Sequence, residues 1–228
     1  MLLGFGICMG IGTYLMYRDG EEEYDTLREY VDVEEPKENA DSEDTEENQE
    51  ETVTVDFEAL KKINREIIAW IRIPDTGIDY PVVQGADNEY YLKHTFKKTE
   101  HVAGSIFLDK DNSPDFSNRK SILYGHNMKD GSMFQGLHKY ENEQYLEIHN
   151  KVYLYLPDGQ TLIYSVIKCG YVSANSDTFW LGEPVETRQL LLSTCGSDSS
   201  KRLVLFCELP EESEESETNG EGISMEVF

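Results

Sequence analysis

The chain has 228 residues, and 45 acidic against 20 basic side chains give it a net charge of −25. The charge is unevenly distributed: residues 19–58 carry −17 and residues 208–228 carry −8, whereas residues 59–207, which hold most of the apolar side chains, carry −1. This distribution argues against a nucleic-acid-binding protein and predicts one nearly neutral folded domain between acidic segments.

The first 18 residues predict a membrane anchor. Seventeen residues without a charge precede Arg18, and as a helix they would span about 25 Å of a hydrocarbon core that is about 30 Å thick. The basic region that opens a signal peptide is absent, so we interpret the segment as an uncleaved anchor whose beginning is clipped or misassigned. A cleaved signal peptide is the alternative, although no A-x-A-like cleavage site is evident.

Acidic segments follow the anchor and end the chain. Residues 19–55 combine high net charge with little apolar surface, which predicts a disordered, self-repelling tether. Residues 210–228 have the same character and predict a disordered tail. An acidic arm that binds a partner is the alternative for either segment. The folded domain is therefore expected at residues 56–209.

Short apolar runs separated by turn residues dominate the domain. Helical spacing from Phe57 to Ile67 precedes a strand at Trp70–Ile73, and alternating residues on both sides of Asp158 and Gly159 predict a hairpin. Seven or eight short strands with few helices predict a mainly β fold that closes, or nearly closes, into a barrel.

The cysteines and the acidic loop do not form a recognisable metal motif. The four cysteines show neither a C-x-x-C pair nor a zinc spacing. Cys8 lies in the apolar first segment, while Cys169 and Cys207 lie in alternating runs and are core residues or, if they face each other, a disulfide. In "DKDNSPDFS", Pro114 stands where a calcium loop needs glycine and no glutamate closes the loop, so no metal is predicted.

Three residues supply the groups that acyl transfer requires. His126 and Cys195 each follow an apolar strand, so a barrel could bring them to one rim, and Arg202 opens the next strand. A thiol nucleophile, a proton-transfer group and an oxyanion donor would then be present together. Considered singly, the three residues are more simply a buried small side chain, a capping imidazole and a surface arginine.

The sequence around these residues resembles the sortases, the cysteine transpeptidases of Gram-positive cell surfaces. That family has a T-L-x-T-C strand end, a histidine after an earlier strand and a downstream arginine, which correspond here to "LLSTC", "YGHNM" and the arginine of "RLVLF". Class B is the most similar, through "WIRIPDTGIDYPVVQGADNEYYLKH", "GSIFLDKDN" and "YGHNMKDGSMFQGLHKY". The resemblance covers about residues 56–209.

The resemblance implies an eight-stranded β-barrel with a few short helices and a set of site residues. Cys195 would be the nucleophile, His126 the proton-transfer residue and Arg202 the oxyanion or substrate clamp. The implied substrate-binding residues are Asn88, Leu92, Ser193 and Thr194. The chemistry requires no cofactor and no metal, although calcium modulates members of the family.

The implied reaction is cleavage of a C-terminal sorting signal of a secreted protein through a thioester, followed by transfer to a peptidoglycan-precursor or pilin amine. The enzyme would be held at the cell membrane by a single span, with its catalytic domain outside. The alternatives are a cysteine protease that hydrolyses without transfer, which would usually place a helix behind the cysteine, and a catalytically silent β domain for surface display.

Three departures from the family pattern affect what the resemblance implies. Leu191 replaces the first threonine of the signature, the connection at 172–190 is shorter than the helix-bearing one of class B, and the loop between Cys195 and Arg202 is short. Because the class B connection helps to select the substrate, the resemblance implies the catalytic chemistry more directly than the specificity.

Overall fold

The computed structural model describes residues 20–34, 52–179, 181–182, 185–195 and 200–210. The strands in chain order are β1 (Val31–Glu34), β2 (Thr52–Val55), β3 (Ile67–Ile73), β4 (Ile78–Val83), β5 (Ile106–Leu108), β6 (Lys120–Gly125), β7 (Lys151–Tyr155), β8 (Thr161–Ser173), β9 (Arg188–Cys195) and β10 (Lys201–Leu209). The helices are α1 (residues 20–28), α2 (Phe57–Ile63) and α3 (Glu143–Ile148), with 3-10 turns at Tyr90–Leu92, Phe134–Glu141 and Asp177–Phe179.

Eight of these strands close into a barrel in the order β10-β8-β7-β3-β4-β5-β6-β9. The predicted eight-stranded barrel with a few short helices is therefore confirmed. Most neighbours are antiparallel, but β4 pairs with β5 and β6 pairs with β9 in parallel. The β6–β9 pair determines the geometry of the site, because parallel strands end at the same rim of a barrel.

Alternating side chains divide β9 between two apolar clusters. Leu190 and Leu192 are completely buried in the main core, which also contains the indole of Trp70. Leu191 lies on the opposite face, in a small cluster with Ile122 of β6 and Val204 of β10. The period of two along a strand thus produces a barrel interior and a second, outer apolar face formed by β6, β9 and β10.

The first helical segment of the domain is shorter than its pattern predicts. Asp56 caps α2 by accepting a hydrogen bond from the Ala59 N–H at 2.9 Å, and the helix ends at Ile63. Asn64 then adopts an extended backbone, and Ile67 already belongs to β3. Ile67 fits the helical spacing of apolar residues, but it is apolar because it is buried in β3.

Part of the N-terminal acidic segment is folded, contrary to the prediction of a disordered tether. Residues 20–34 and 52–55 form α1 and the antiparallel β1–β2 pair, so the prediction for 19–55 is wrong for these residues. Tyr24 and Leu27, three positions apart and so on one face of α1, are 3% and 0% exposed. The Tyr24 hydroxyl donates to the Gly104 carbonyl at 2.5 Å. Two well-placed apolar side chains therefore attach a strongly acidic helix to the barrel.

The remaining parts of the segment predictions lie outside the described residues. These parts are the membrane anchor at 1–18, the middle of the tether at 35–51 and the tail at 211–228. Within the described ranges, no helix combines the length and the apolar character needed to cross a membrane.

Leu27→Ala is expected to lower the free energy of unfolding by about 2–5 kcal/mol, because it leaves a cavity between α1 and the barrel. Thr26→Ala on the exposed side of the same helix is the matched control, with an expected change within about 0.5 kcal/mol. Chemical denaturation of the two variants measures both values. Equal stability of Leu27→Ala and the parent chain would contradict the docking of α1.

The two cysteines whose pairing the sequence left open are separate thiols. Cys169 on β8 and Cys207 on β10 are both free. Cys207 is completely buried, whereas Cys169 is half-buried. Burial, reinforced by the nearby Glu141 carboxylate, raises the pKa of Cys169 to about 11. Burial raises the pKa of Cys207 as well. Both thiols are therefore protonated near neutral pH and are poor nucleophiles.

Candidate active site

The three positions predicted to be catalytic occupy one rim of the barrel on adjacent strands. On the parallel pair, Gly125 of β6 lies opposite Thr194 of β9, so His126 and Cys195 are the next residues along the two chains. On the antiparallel pair, Cys195 lies opposite Arg202 of β10. Neighbouring strands are about 4.7–4.9 Å apart. The topology thus brings His126 next to Cys195 and Arg202, although 69 positions separate it from Cys195 in the sequence.

The outer apolar cluster continues the surface on which these positions lie. Cys195 has the same parity along β9 as Leu191 and Ser193, and Tyr124 precedes His126 with the matching parity on β6. The strands beneath the site are therefore apolar at their centre and carry polar and titratable groups at the rim. The three residues of the outer apolar cluster are themselves buried, so the cluster supports the rim from beneath and a bound peptide would contact the rim residues.

A carbonyl of the loop before β5 selects the tautomer of the neutral His126 ring. His126 Nε2 lies 2.7 Å from the carbonyl oxygen of Leu92, which ends a 3-10 turn. A carbonyl oxygen only accepts, so Nε2 carries the proton in the neutral ring, and proton exchange with a substrate falls to Nδ1. The Phe134 N–H donates to the His126 carbonyl at 2.9 Å, which fixes the backbone of the histidine.

The predicted substrate residues Asn88 and Leu92 lie on this same loop. Leu92 is half-buried and contributes the carbonyl that contacts His126. The Asn88 side chain accepts from the Lys110 N–H at 2.8 Å and donates through Nδ2 to Asp109 Oδ2 at 2.9 Å. Leu92 therefore contacts His126 directly, whereas Asn88 contacts the neighbouring residues Asp109 and Lys110.

Sequence reasoning missed two members of this network, Tyr124 and Asp109. The Tyr124 hydroxyl lies 3.0 Å from Asp109 Oδ2, the oxygen that also accepts from Asn88. Burial and the Asp109 carboxylate raise the pKa of Tyr124, and the positive charge of Arg202 opposes that rise. Tyr124 was recognisable as the residue two before His126 on one strand. Asp109 was considered only as a calcium ligand.

The two predicted groove residues before the cysteine face opposite ways. Ser193 shares the face of Leu191, whereas Thr194 shares the interior face of Leu190 and Leu192 and pairs with the buried Leu203. Both side chains are buried, with exposures of 2% and 1%. The prediction that Thr194 lines the groove is therefore corrected by strand alternation, and Ser193 alone has a position suited to that role.

The short connection between β8 and β9 covers part of the outer face. Phe179 and Leu181 of this connection pack on the outer apolar cluster. The Lys120 Nζ lies 3.5 Å from the Thr178 carbonyl and joins the start of β6 to the same connection. Although the connection carries a 3-10 turn where class B is expected to carry a helix, it still covers the outer apolar cluster.

Comparison with known proteins gives a consistent family assignment. The family model described as Sortase domain matches residues 71–210. Sortase B of Listeria monocytogenes is 49% identical over 90 residues, which are 40% of this chain and 37% of the Listeria protein. The sequence match therefore spans less than half the length of that relative.

Solved structures of sortase B are similar over a larger part of the chain. The structure from B. anthracis has a TM-score of 0.66 at 30% identity and covers 87% of this chain and 99% of that chain. The Staphylococcus aureus sortase B-substrate complex has a TM-score of 0.59 at 28% identity and covers 69% of this chain and 85% of that chain. Since the family model spans more than half of the chain and the barrel agrees with these structures, the chain belongs to the sortase family, and its relatives place it in class B.

Proposed function

We propose that this chain is a sortase-type cysteine transpeptidase with Cys195 as nucleophile, His126 as proton-transfer residue and Arg202 as oxyanion stabiliser. The observation that carries the proposal is the strand register, in which Gly125 pairs with Thr194 and Cys195 pairs with Arg202. One residue of each required chemical type therefore lies at the same rim.

The first half-reaction forms an acyl-enzyme. The Cys195 thiolate attacks the carbonyl carbon of the scissile amide, a C–S bond forms, and the carbonyl electron pair moves onto oxygen. Arg202 and a backbone N–H stabilise this oxyanion. His126, which took the thiol proton at Nδ1 when the Cys195 thiolate formed, then donates that proton to the amide nitrogen. The C–N bond breaks, the amine departs, and a thioester remains on the enzyme.

The second half-reaction restores an amide. An incoming amine attacks the thioester carbon and loses its proton to His126, and Cys195 departs as the thiolate. Transfer in place of hydrolysis requires that the groove admit the amine in preference to water.

We assign the substrate as the C-terminal sorting signal of a secreted protein and the acceptor as a peptidoglycan-precursor or pilin amine. The similarity to a sortase B solved with its substrate supports a peptide substrate. This assignment implies a catalytic domain outside the cell, where both substrates occur, and we propose the apolar segment at 1–18 as its single-pass membrane anchor.

A peptide library tests this proposal. The purified chain is mixed with sorting-signal peptides and either triglycine or a diaminopimelate-type amine, and mass spectrometry identifies the products. We expect cleaved peptides joined to the added amine. Product acids alone, in equal amount with and without the amine, would indicate a hydrolase, and no product from any peptide would indicate a catalytically silent domain.

A further inference from the structure

The carboxylate of Asp109 is a buried charge next to the site. Asp109 is 7% exposed and follows the last residue of β5. Burying a carboxylate costs free energy unless hydrogen bonds satisfy its oxygens. Oδ1 accepts from the Asp111 N–H at 3.0 Å, and Oδ2 accepts from Asn88 Nδ2 at 2.9 Å and from the Tyr124 hydroxyl at 3.0 Å. Two of these three donors are side chains at the catalytic rim.

The main chain of Asp109 is held independently of its carboxylate. Its N–H donates to the Ile122 carbonyl at 2.9 Å, and its carbonyl accepts from Gln84 Nε2 at 2.9 Å and from the Asn112 N–H at 3.0 Å. The carboxylate is therefore not needed to place the backbone at this position. Its side-chain contacts instead orient Asn88 and Tyr124.

The contacts of Asn88 leave only one orientation for its amide. The Lys110 N–H requires an acceptor, so Oδ1 must face it, and the Asp109 carboxylate requires a donor, so Nδ2 must face it. An amide has two N–H groups and two oxygen lone pairs. One N–H and one lone pair of Asn88 therefore remain for a ligand, which is the complement of one residue of an extended peptide main chain.

We propose that Asp109 is a positioning residue that fixes the Asn88 amide for binding of the substrate main chain. The proposal rests on the peptide substrate assigned above. Asp109 acts through Asn88 and does not contact the reacting atoms, so it contributes to binding in the ground state and the transition state alike. Such uniform binding appears in KM and leaves kcat nearly unchanged.

The same carboxylate sets the polarity of Tyr124. Because the phenol donates its proton to Asp109, its oxygen can only accept from any further partner. Asn88 thus offers a fixed N–H and Tyr124 a fixed lone pair on either side of Asp109. A peptide with alternating carbonyl and N–H groups fits this pattern.

Asp109→Asn is the variant that tests the proposal. It keeps the shape of the side chain but replaces one of the two accepting oxygens by an NH2 group, which donates. If the new amide turns its oxygen toward Asn88 and Tyr124, its NH2 meets the Asp111 N–H; if it turns the other way, its NH2 meets the Asn88 NH2. The first orientation replaces the carboxylate acceptor of Asn88 by a weaker amide oxygen and sets two donors against each other at Asp111, and the second sets two donors against each other at Asn88 itself, so the Asn88 contact is weakened in both. We expect KM for the sorting peptide to rise about 10-fold, with kcat within about 3-fold of the parent value.

Two controls distinguish positioning from general loss of structure. Asp111→Asn makes the same charge change in the same loop at an exposed carboxylate that contacts Lys110 Nζ, and it should leave KM unchanged. In a double-mutant cycle, Asn88→Ala alone should raise KM, and adding Asp109→Asn should raise it further by much less than the single Asp109→Asn change does in the parent chain. Melting temperatures of all variants are measured alongside.

The outcomes separate this inference from the proposed function. A parent chain that turns over no peptide would overturn both. An active parent chain with an unchanged KM in Asp109→Asn would overturn only the positioning role. Fully additive effects of Asp109→Asn and Asn88→Ala, or a fall in kcat with KM unchanged, would also overturn it, because Asp109 would then not act through Asn88.

Discussion

Cys195→Ala is expected to abolish formation of the thioester and to lower peptide cleavage by at least about 10⁴-fold, because the reaction has no alternative covalent route. The register places this residue opposite Arg202 and beside the strand that leads to His126. Cleavage is measured with a fluorogenic sorting peptide, and binding of the same peptide is measured on the inactive variant. We expect binding to persist, since the groove is otherwise unchanged.

Cys169→Ala is the matched control for this experiment. Cys169 is also a free thiol of the barrel, but burial raises its pKa to about 11, so it is protonated at neutral pH. The control should retain the parent activity. Cleavage by Cys195→Ala near the parent rate, or its loss in Cys169→Ala with the fold intact, would contradict the assignment of the nucleophile.

Arg202→Ala is expected to lower kcat by about 10²- to 10³-fold while KM changes by less than about 3-fold. The reason is that an oxyanion donor gains its main interaction only when negative charge develops on the carbonyl oxygen. Arg202→Lys should recover part of kcat, because it restores the charge without the planar guanidinium geometry. Steady-state kinetics with the same fluorogenic peptide provide both constants.

The split between the two constants is the informative part of the Arg202 experiment. A large rise in KM with kcat unchanged would make Arg202 a substrate-binding residue and remove it from the transition state. A melting temperature close to that of the parent chain is the control, since Arg202 lies at the start of β10 and is half-exposed. Equal kcat and KM in the variant and the parent would contradict any role in catalysis.

The barrel and the catalytic strands were predictable because their signals are local. Short continuous apolar runs mark β6 and β9; β6 ends at Gly125 immediately before His126, and β9 ends at Cys195. The parallel pairing of these strands is not local, since the two residues lie 69 positions apart in the sequence. The apolar runs predict that both strands exist, and only the closed topology makes them neighbours.

Other features depended on contacts that composition does not reveal. The acidic segment at 20–34 has the charge of a disordered tether, but Leu27 and Tyr24 are buried where it packs on the barrel. Thr194 was assigned to the groove through its neighbour in sequence, although adjacent strand residues face opposite ways. The link from Asp109 to Asn88 joins two loops whose sequences give no sign of their contact.

Direct detection of the acyl-enzyme tests the central claim. The chain is incubated, without an amine acceptor, with an intact sorting peptide that it is able to cleave. The reaction is quenched in acid and analysed by intact-protein mass spectrometry and peptide mapping. The account predicts a mass increase equal to the N-terminal part of the peptide, located on Cys195, sensitive to hydroxylamine and lost when triglycine is added. Peptide cleavage without any adduct, or an adduct on Cys169 or Cys207, would contradict it.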